Sequence, residues 1–467
     1  MTKTTRSKYE LDFTNGSIIK KMLAFSLPLM ATNLLQLLFN AADMVVVSLE
    51  SDTAMGSIGA TGSMTNLILQ LFIGLGVGAG VITARCFGAK DEKYASQVLH
   101  TSMVLGLISG VIVAIFGSVF SEGILVLMDT PEENLTLATQ YLAIYFLGSP
   151  FNIIYNFGAS VMRSVGDTKR PLIYLTIAGV LNVIINLITV LAFHMGVVGV
   201  AIATITSQAV SAVLVVASLL KSNDFIRLRV KQLKIHKRAL LEILRIGVPS
   251  GIQGMVFALS NVIIQSAVNS FDSLYVNGNS AAANIEGFVY TTLNAASNSA
   301  VTASGQNYGA KRFDRIKKSI VQGFIFVLAV TIAVGGLVLL LFKPIVTLYV
   351  EDPTSQAVAL ERSLILITTY GLCGIMEVIS GTLRGMGYSI TPMLLVILGT
   401  CVVRIAWVSF VFPIIGTYSS IFVIYPISWA ATAILLGVMI VFCLRKKQRD
   451  YEIERKLLDY IKNSVAE

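Results

Sequence analysis

Long apolar runs recur along the whole chain, and they constrain the fold more than any other feature. Of 467 residues, 55% are hydrophobic and 13% are charged, whereas a soluble domain usually has about 25% charged residues. Many of the runs reach the roughly 20 residues that an α-helix needs to cross a bilayer. The sequence therefore predicts an all-α polytopic membrane protein. Twelve transmembrane helices are predicted, near residues 22–49, 55–84, 97–121, 134–163, 171–193, 197–220, 244–270, 279–305, 319–342, 357–386, 391–413 and 418–444.

Basic residues are concentrated on one side of the predicted membrane. With the N-terminus placed in the cytoplasm, 32 of the 35 lysines and arginines fall in the two tails and the even-numbered turns. Cytoplasmic loops ordinarily carry this excess. We therefore expect both termini to be cytoplasmic and the protein to lie in the plasma membrane. The net charge of +9 then reports membrane orientation rather than nucleic-acid binding.

The two halves of the sequence align at a constant offset of 221 residues. "FGAK" at 87–90 corresponds to "YGAK" at 308–311, and Pro28 falls on Pro249. Repeats of this kind build two helix bundles with a substrate cavity between them, and the bundles rock to alternate access. Because six helices separate the halves, the two six-helix lobes should be related by a pseudo-two-fold axis along the membrane normal.

The repeat divides the chain into four parts. Residues 1–220 are expected to form the N-terminal lobe, 221–245 a basic cytoplasmic linker, 246–445 the C-terminal lobe and 446–467 a cytoplasmic tail. The linker reads as an interfacial helix at anionic lipid. The glycine-rich run "GLGVGAG" at 74–80 lies inside a span with no strand before it, so it indicates close helix packing rather than phosphate binding.

Asp43 stands in the middle of the first apolar run, where a carboxylate is costly. Asn33, Gln36 and Asn40 precede it at spacings of 3, 4 and 3, so all four share one helix face. Intramembrane acids usually mark an ion or substrate pathway, and a carboxylate among neutral oxygens can take up a proton or Na+. The following helices supply such neutral groups, namely Asn152, Asn156, Asn182, Asn186 and Thr204. For the asparagines, hydrogen bonding that only joins helices remains the alternative.

The second half does not repeat this acid, because Ile264 occupies the corresponding position. Glu286 lies instead in helix 8, Glu377 in helix 10 and Arg404 in helix 11. A buried arginine needs a partner, and we predict that Arg404 pairs with Glu377, directly or through Glu286. The candidates for a substrate cavity are Gln36, Asn40, Asn152, Glu286, Tyr290, Glu377 and Arg404.

In these features the chain resembles the multidrug and toxic compound extrusion (MATE) family of transporters. The resemblance covers residues 15–445 and is carried by the two-lobe plan, by Pro28 with Asp43 in "FNAADMVVV", and by the "GAK", "RSVGDTKRP" and "LRGMGYSITP" turns. It implies secondary active export of organic, often cationic and amphipathic compounds in exchange for H+ or Na+.

The resemblance also implies site residues and departures from the family pattern. Asp43 matches the acid of helix 1, and Asn156, Asn182 and Thr204 match its neighbours in the first-lobe cation site. Asn186 stands where several prokaryotic members have an aspartate. The acids that one branch of the family has in helices 7 and 10 are missing, near Phe257 and Cys373.

Two other functions are compatible with a polytopic membrane fold. A flippase for lipid-linked sugars shares the two-lobe plan, but such proteins tend to have a strongly basic cavity, whereas three acids and essentially one arginine are expected inside this protein. An ion channel is disfavoured by the lobe repeat and the "GAK" turns. The sequence contains no recognisable motif for catalysis or for a cofactor, so no enzyme activity, cofactor or metal other than Na+ at Asp43 is expected. The expected partners are a drug-like organic cation, H+ or Na+ and membrane lipids, for a monomeric protein.

Overall fold

The computed structural model describes residues 9–48, 52–128, 130–222 and 225–466, and the regular secondary structure in these residues is helical. Their first half contains α1 (Ile18–Ser48), α2 (Asp52–Ala89), α3 (Glu92–Val119), α4 (Ser121–Leu127), α5 (Glu132–Leu147), α6 (Ser149–Ser164), α7 (Lys169–Leu187) and α8 (Gly196–Lys221). Their second half contains α9 (Lys237–Val268), α10 (Ser273–Gly309), α11 (Phe313–Val330), α12 (Gly336–Leu340), α13 (Phe342–Val346), α14 (Pro353–Gly385), α15 (Ile390–Val396), α16 (Val403–Ala406), α17 (Phe412–Ile415) and α18 (Ser420–Ala466).

Short helices join end to end, so the described residues form twelve membrane-length segments. Of these, 10 are long and apolar enough to cross a membrane. The other two are the α5–α6 segment, which is interrupted at Gly148, and α10, whose 37 residues include many polar side chains. The predicted all-α polytopic architecture is confirmed.

The internal repeat is also present in the backbone. Four helices of the first half have counterparts that begin 221 residues later, so that the starts of α2, α3, α5 and α7 at Asp52, Glu92, Glu132 and Lys169 recur at Ser273, Phe313, Pro353 and Ile390. The two "GAK" turns each place a lysine in the left-handed region, at φ 59° for Lys90 and 55° for Lys311. This backbone conformation is uncommon for a residue with a side chain. Its recurrence at the same offset shows that both halves use one backbone plan.

The described chain packs as two compact units. One comprises residues 9–12 and 23–262, and the other comprises 13–22 and 263–466. The first part of α9 therefore packs with the first unit. In that unit, a β-carbon at Gly247 would lie 2.6 Å from Cα of Leu75, so the backbones of α2 and α9 are in direct contact. The glycine-rich run of α2 serves helix packing, as its sequence indicates.

The linker differs from the predicted interfacial helix. Apart from residues 223 and 224, which lie outside the described part, it is irregular up to residue 236 with one short helical turn at Val230–Gln232, and residues 237–245 form the start of α9. His100 of α3 holds it in place, because the backbone N–H of Arg229 donates to Nε2 of His100 at 3.0 Å. The N–H of His236 likewise donates to Oγ1 of Thr101 at 3.0 Å. These side-chain contacts satisfy backbone groups that a helix would have paired internally.

Candidate cation and substrate site

Asp43 lies in α1 and is held by an asparagine of α7. Nδ2 of Asn186 donates a hydrogen bond to Oδ1 of Asp43, and the same nitrogen lies 3.4 Å from Oδ1 of Asn182. Asn182 and Asn186 are one helical turn apart and are buried, at 4% and 0% exposure, whereas Asp43 is half-buried. The fold thus places an acid of α1 against an asparagine 143 positions later in the chain.

One oxygen beside this carboxylate has no hydrogen bond. Oδ1 of Asn186 is buried and without a partner among the described residues, although buried polar atoms are ordinarily paired. A small cation bound to Asp43 would satisfy it, since carboxylate and amide oxygens are the ligands that hard cations prefer. Protonation of Asp43 would also satisfy this oxygen if the Asn186 amide rotated by 180°, because the carboxyl O–H of Asp43 could then donate to Oδ1 of Asn186. The donor set fits either Na+ or H+.

The other polar residues of the predicted site make local contacts in this conformation. Nδ2 of Asn156 donates to Oδ1 of Asn152 at 2.8 Å, one turn earlier on α6. Oγ1 of Thr204 donates to the backbone oxygen of Val200 at 2.9 Å. In the described structure, no hydrogen bond joins Asn152, Asn156 or Thr204 to Asp43. They are half-buried and belong to the same unit, but Asn182 and Asn186 are the direct neighbours of the carboxylate.

Two tyrosines near Asp43 were not predicted from the sequence. Tyr141, on α5, belongs to the buried cluster that contains Val46 and Val47, just after Asp43 in α1, and Tyr145 packs against that cluster. Their rings stack with centroids 6.0 Å apart. The sequence signal is the i, i+4 spacing of two tyrosines in an apolar helix. One turn after Asp43, Val46 and Val47 belong to a buried apolar cluster. The carboxylate therefore lies next to the apolar core of the unit.

Each unit also has a helix with an exposed polar face. On α1, Gln36 and Asn40 are exposed. On α10, Asn294 is exposed and Tyr290 is 41% exposed. Amides cannot face lipid hydrocarbon without a large free-energy penalty. We therefore expect these faces to line aqueous space, where a polar or amphipathic molecule could bind.

Glu286 forms an ion pair with Arg362, a partner that was not predicted from the sequence. Nη2 of Arg362, on α14, lies 3.0 Å from Oε2 of Glu286. Nε of the same arginine donates to both carboxylate oxygens at 3.2 Å. Nη1 donates to Oδ1 of Asn279 at 2.6 Å, and the guanidinium lies 4.8 Å from the ring centroid of Phe422. The expectation of essentially one interior arginine is wrong, because the Arg362 side chain is also largely buried, at 14% exposure, where it pairs with Glu286.

The predicted pair between Glu377 and Arg404 is absent from the described structure. Glu377 lies 3.4 Å from Nη2 of Arg384 on its own helix and accepts a hydrogen bond from Oγ of Ser297 at 3.4 Å. Arg404 is 3% exposed and has no ion pair there. Its guanidinium instead contacts two aromatic rings of α18. The ring centroids of Tyr425 and Trp429 lie 3.8 Å and 5.3 Å from the guanidinium carbon. The prediction is wrong because cation–π contact takes the role given to a carboxylate.

The residues of the second unit that correspond to the Asp43 site by the internal repeat are different in kind. At the 221-residue offset, Asp43 corresponds to Ile264, Asn182 to Val403 and Asn186 to Trp407. Side chains that offer no oxygen ligand thus occupy the positions of the acid and its two asparagine neighbours. Glu286 and Glu377, the acids inside this unit, are each neutralised by an arginine. Among the described residues, no cluster of three histidine, cysteine or acidic side chains could hold a metal ion.

Comparisons with known proteins agree on a family. The family model described as MatE matches residues 28–188 and 249–409, one match in each half. The chain is 26% identical over 450 residues to a probable multidrug resistance protein of Bacillus subtilis (strain 168), YoeA, covering 92% of this chain and 95% of the relative. It is 24% identical over 448 residues to the multidrug export protein MepA of Staphylococcus haemolyticus, covering 93% and 96%.

Solved structures share the fold. An outward-facing multidrug resistance MATE family transporter of the MOP superfamily matches with a TM-score of 0.87 at 22% identity, over 95% of this chain and all of that one. A MOP superfamily transporter from Pyrococcus furiosus, described as having a binding pocket of reverse polarity, matches with a TM-score of 0.88 at 20% identity and the same coverage. At these identities the likeness establishes the two-lobe, twelve-helix architecture and leaves the residues of the site to be argued from their own geometry.

Proposed function

Because this chain belongs to the MatE family of membrane transporters, we propose that it exports organic, drug-like compounds in exchange for H+ or Na+. The observation that carries the proposal is the contact between Asp43 and Asn186 inside the membrane-spanning part of the first unit. Of the described acids deep within helices, Asp43 alone lacks a basic partner, because Glu286 and Glu377 are bound to arginines. It is therefore the acid that remains able to exchange a cation.

Coupling then follows from competition between two conformations. Facing outward, Asp43 takes up the cation, and this state favours release of the substrate. Facing inward, Asp43 gives the cation up, and the substrate binds. Both ligands bias one two-state equilibrium in opposite directions, and alternate rocking of the lobes would deliver them to opposite sides. Asp43, Asn182 and Asn186 form the proposed cation site, with Asn156 and Thr204 as further oxygen donors after rearrangement.

We favour H+ over Na+ as the coupling ion. Asn186 supplies a neutral amide where a second carboxylate would strengthen binding of Na+, because cation affinity rises with ligand charge. A proton needs only one carboxylate. The proposed substrates are amphipathic organic cations, since Asn294 and the ring of Tyr290 lie one turn apart on the exposed face of α10, and cations bind well over aromatic rings.

Reconstitution tests this function directly. Purified protein in proteoliposomes should move a fluorescent organic cation such as ethidium against its gradient when a pH gradient is imposed. A Na+ gradient at equal pH on both sides should have a smaller effect. Movement driven by Na+ alone would reverse the ion assignment, and no movement under either gradient, from protein shown to be folded, would refute export of organic cations.

A flippase for lipid-linked sugars is the alternative function. The observation in its favour is Arg404, whose positive charge has no acid partner in the described part of the second unit. Its burial behind Tyr425 and Trp429 argues against direct contact with a phosphate. The same vesicles would distinguish the two functions, since a flippase would move a fluorescent polyprenyl-phosphate sugar between leaflets and leave ethidium gradients unchanged.

The proposed orientation has both termini in the cytoplasm of a cell whose plasma membrane the protein spans. Single cysteines at Gln232 in the linker and at Ser273, where α10 begins, would test it, because both positions are exposed. The four natural cysteines are buried and would be replaced first. A membrane-impermeant maleimide added to intact cells should modify position 273 and spare position 232. The reverse labelling pattern would invert the topology.

A further inference from the structure

A groove on the second unit is separate from the polar residues of the proposed transport site. It lies between α11, α14 and α18 and has a volume of about 670 Å³. Its walls are almost entirely apolar and include Phe324, Leu372, Ile375, Ile440 and Leu444. All of them belong to membrane-spanning helices. Within a bilayer such a groove would not hold water, because its walls offer few hydrogen-bond partners.

Two basic side chains mark one end of the groove. Lys317, in the second turn of α11, and Arg445, late in the membrane part of α18, both line it and are exposed. Nζ of Lys317 is 3.1 Å from Oε1 of Gln448, which holds the ammonium beside the groove. The other end, near Ala430, is apolar. The groove is thus amphipathic along its length, with positive charge at the membrane surface and hydrocarbon-like walls below it.

We propose that this groove binds one anionic phospholipid, with its phosphate between Lys317 and Arg445 and an acyl chain along α18. From Arg445 to Ala430 the helix rises roughly 22 Å, which is enough to follow an acyl chain through one leaflet of about 15 Å. Two cations at the surface match a headgroup that carries net negative charge, because an ammonium and a guanidinium both bind phosphate oxygens. A zwitterionic lipid lacks that net charge.

A glycine in the groove wall, Gly437, leaves room for an acyl chain. Gly437 lines the groove, and a β-carbon there would meet no atom within 4 Å. A leucine at this position would project into the cavity without disturbing a helix contact. Gly336, in α12, is equally unobstructed but does not line the groove, so Gly336→Leu is a matched control for the same change in size and helix propensity.

The charge contacts can be tested by lipid titration. Delipidated protein in neutral detergent would be titrated with phosphatidylglycerol or phosphatidylcholine, and bound lipid counted by native mass spectrometry alongside the melting temperature. The wild type should bind one phosphatidylglycerol in preference to phosphatidylcholine. Lys317→Ala with Arg445→Ala should weaken phosphatidylglycerol binding roughly thirtyfold, from the loss of two basic contacts near the membrane surface.

A second pair of basic residues provides the matched control for charge. Lys318 and Lys446 are the next residues along α11 and α18 and are exposed, but neither lines the groove. Lys318→Ala with Lys446→Ala therefore removes the same net charge from the same membrane surface. This control variant should bind phosphatidylglycerol as the wild type does. An equal loss in the control pair and the groove pair would overturn the proposal, since it would indicate unspecific attraction to a basic surface.

The shape of the groove gives a second test. Gly437→Leu should reduce binding of phosphatidylglycerol by displacing its acyl chain, whereas Gly336→Leu should bind it as the wild type does. Equal affinity of the wild type for both lipids would overturn the proposal. Displacement of the lipid by ethidium at transported concentrations would also contradict it, by identifying the groove as a substrate entrance.

Discussion

Replacing Asp43 with asparagine should lower the rate of gradient-driven efflux about tenfold or more, because coupling free energies of about 1–3 kcal/mol correspond to such factors. Asparagine keeps an oxygen that can accept the hydrogen bond now donated by Nδ2 of Asn186. It also has nearly the same volume, so the variant should fold. It cannot take up a proton and carries no charge for Na+. The rate of ethidium efflux from proteoliposomes, at imposed pH and Na+ gradients, measures the effect.

A second charge-removing variant serves as the control. Asp272 caps α10, where its Oδ1 accepts from the backbone nitrogen of Leu274 at 3.0 Å, and asparagine caps helices about as well as aspartate. Asp272→Asn should therefore transport normally. Equilibrium substrate binding should survive in both variants. Wild-type efflux by well-folded Asp43→Asn would remove Asp43 from the coupling mechanism, and an equal loss in Asp272→Asn would make the effect one of general charge.

Replacing Glu286 with glutamine is expected to lower the free energy of unfolding by about 3 kcal/mol, because breaking a buried ion pair leaves an uncompensated charge. The side chains of Glu286 and Arg362 are only 3% and 14% exposed. Asn279 and Phe422 would still contact the guanidinium, which keeps the loss near the lower end of the range for buried pairs. Thermal or denaturant unfolding in a fixed detergent measures it.

The double variant separates pairing from simple burial. Glu286→Gln with Arg362→Met removes both charges and should recover much of the lost stability, since a buried pair replaced by neutral groups can be nearly neutral in free energy. Glu361→Gln is the control, because Glu361 neighbours Arg362 in the same helix but is exposed. It should change stability by less than about 0.5 kcal/mol. Additive losses in the double variant would show that the two residues are not coupled.

Features written in local sequence were predictable. Apolar runs locate the membrane helices because each run must hide its backbone polar groups from lipid. The turn at "FGAK" and its counterpart at "YGAK" predicted matching helix ends, and Lys90 and Lys311 indeed adopt the same left-handed conformation. A shared polar environment for Asp43 and the asparagines of α7 could be predicted, because an acid and amides in one helix bundle avoid lipid by facing the bundle interior.

Features that depend on side-chain reach were not predictable. Arg362 falls near the start of the predicted helix 357–386, so its sequence position does not show that its side chain extends inward to Glu286. Arg404 would be expected to need a carboxylate, but two aromatic rings from α18 support it. The linker has the composition of an interfacial helix, but the contacts with His100 and Thr101 come from another part of the chain. Spacing along one helix carries no information about such partners.

The shared backbone plan of the two halves has a consequence for how this protein could have diversified. Gly166 and Gly387, at φ 90° and 87°, fix the same turn in each copy, whereas the interior positions Asp43 and Ile264 carry opposite chemistry. The same backbone frame carries an acid beside two asparagines in one copy, and aromatic rings and paired charges inside the other. The copies therefore differ in the side chains that a common backbone carries, and substitutions inside one copy can change its chemistry while the turn geometry of both is kept.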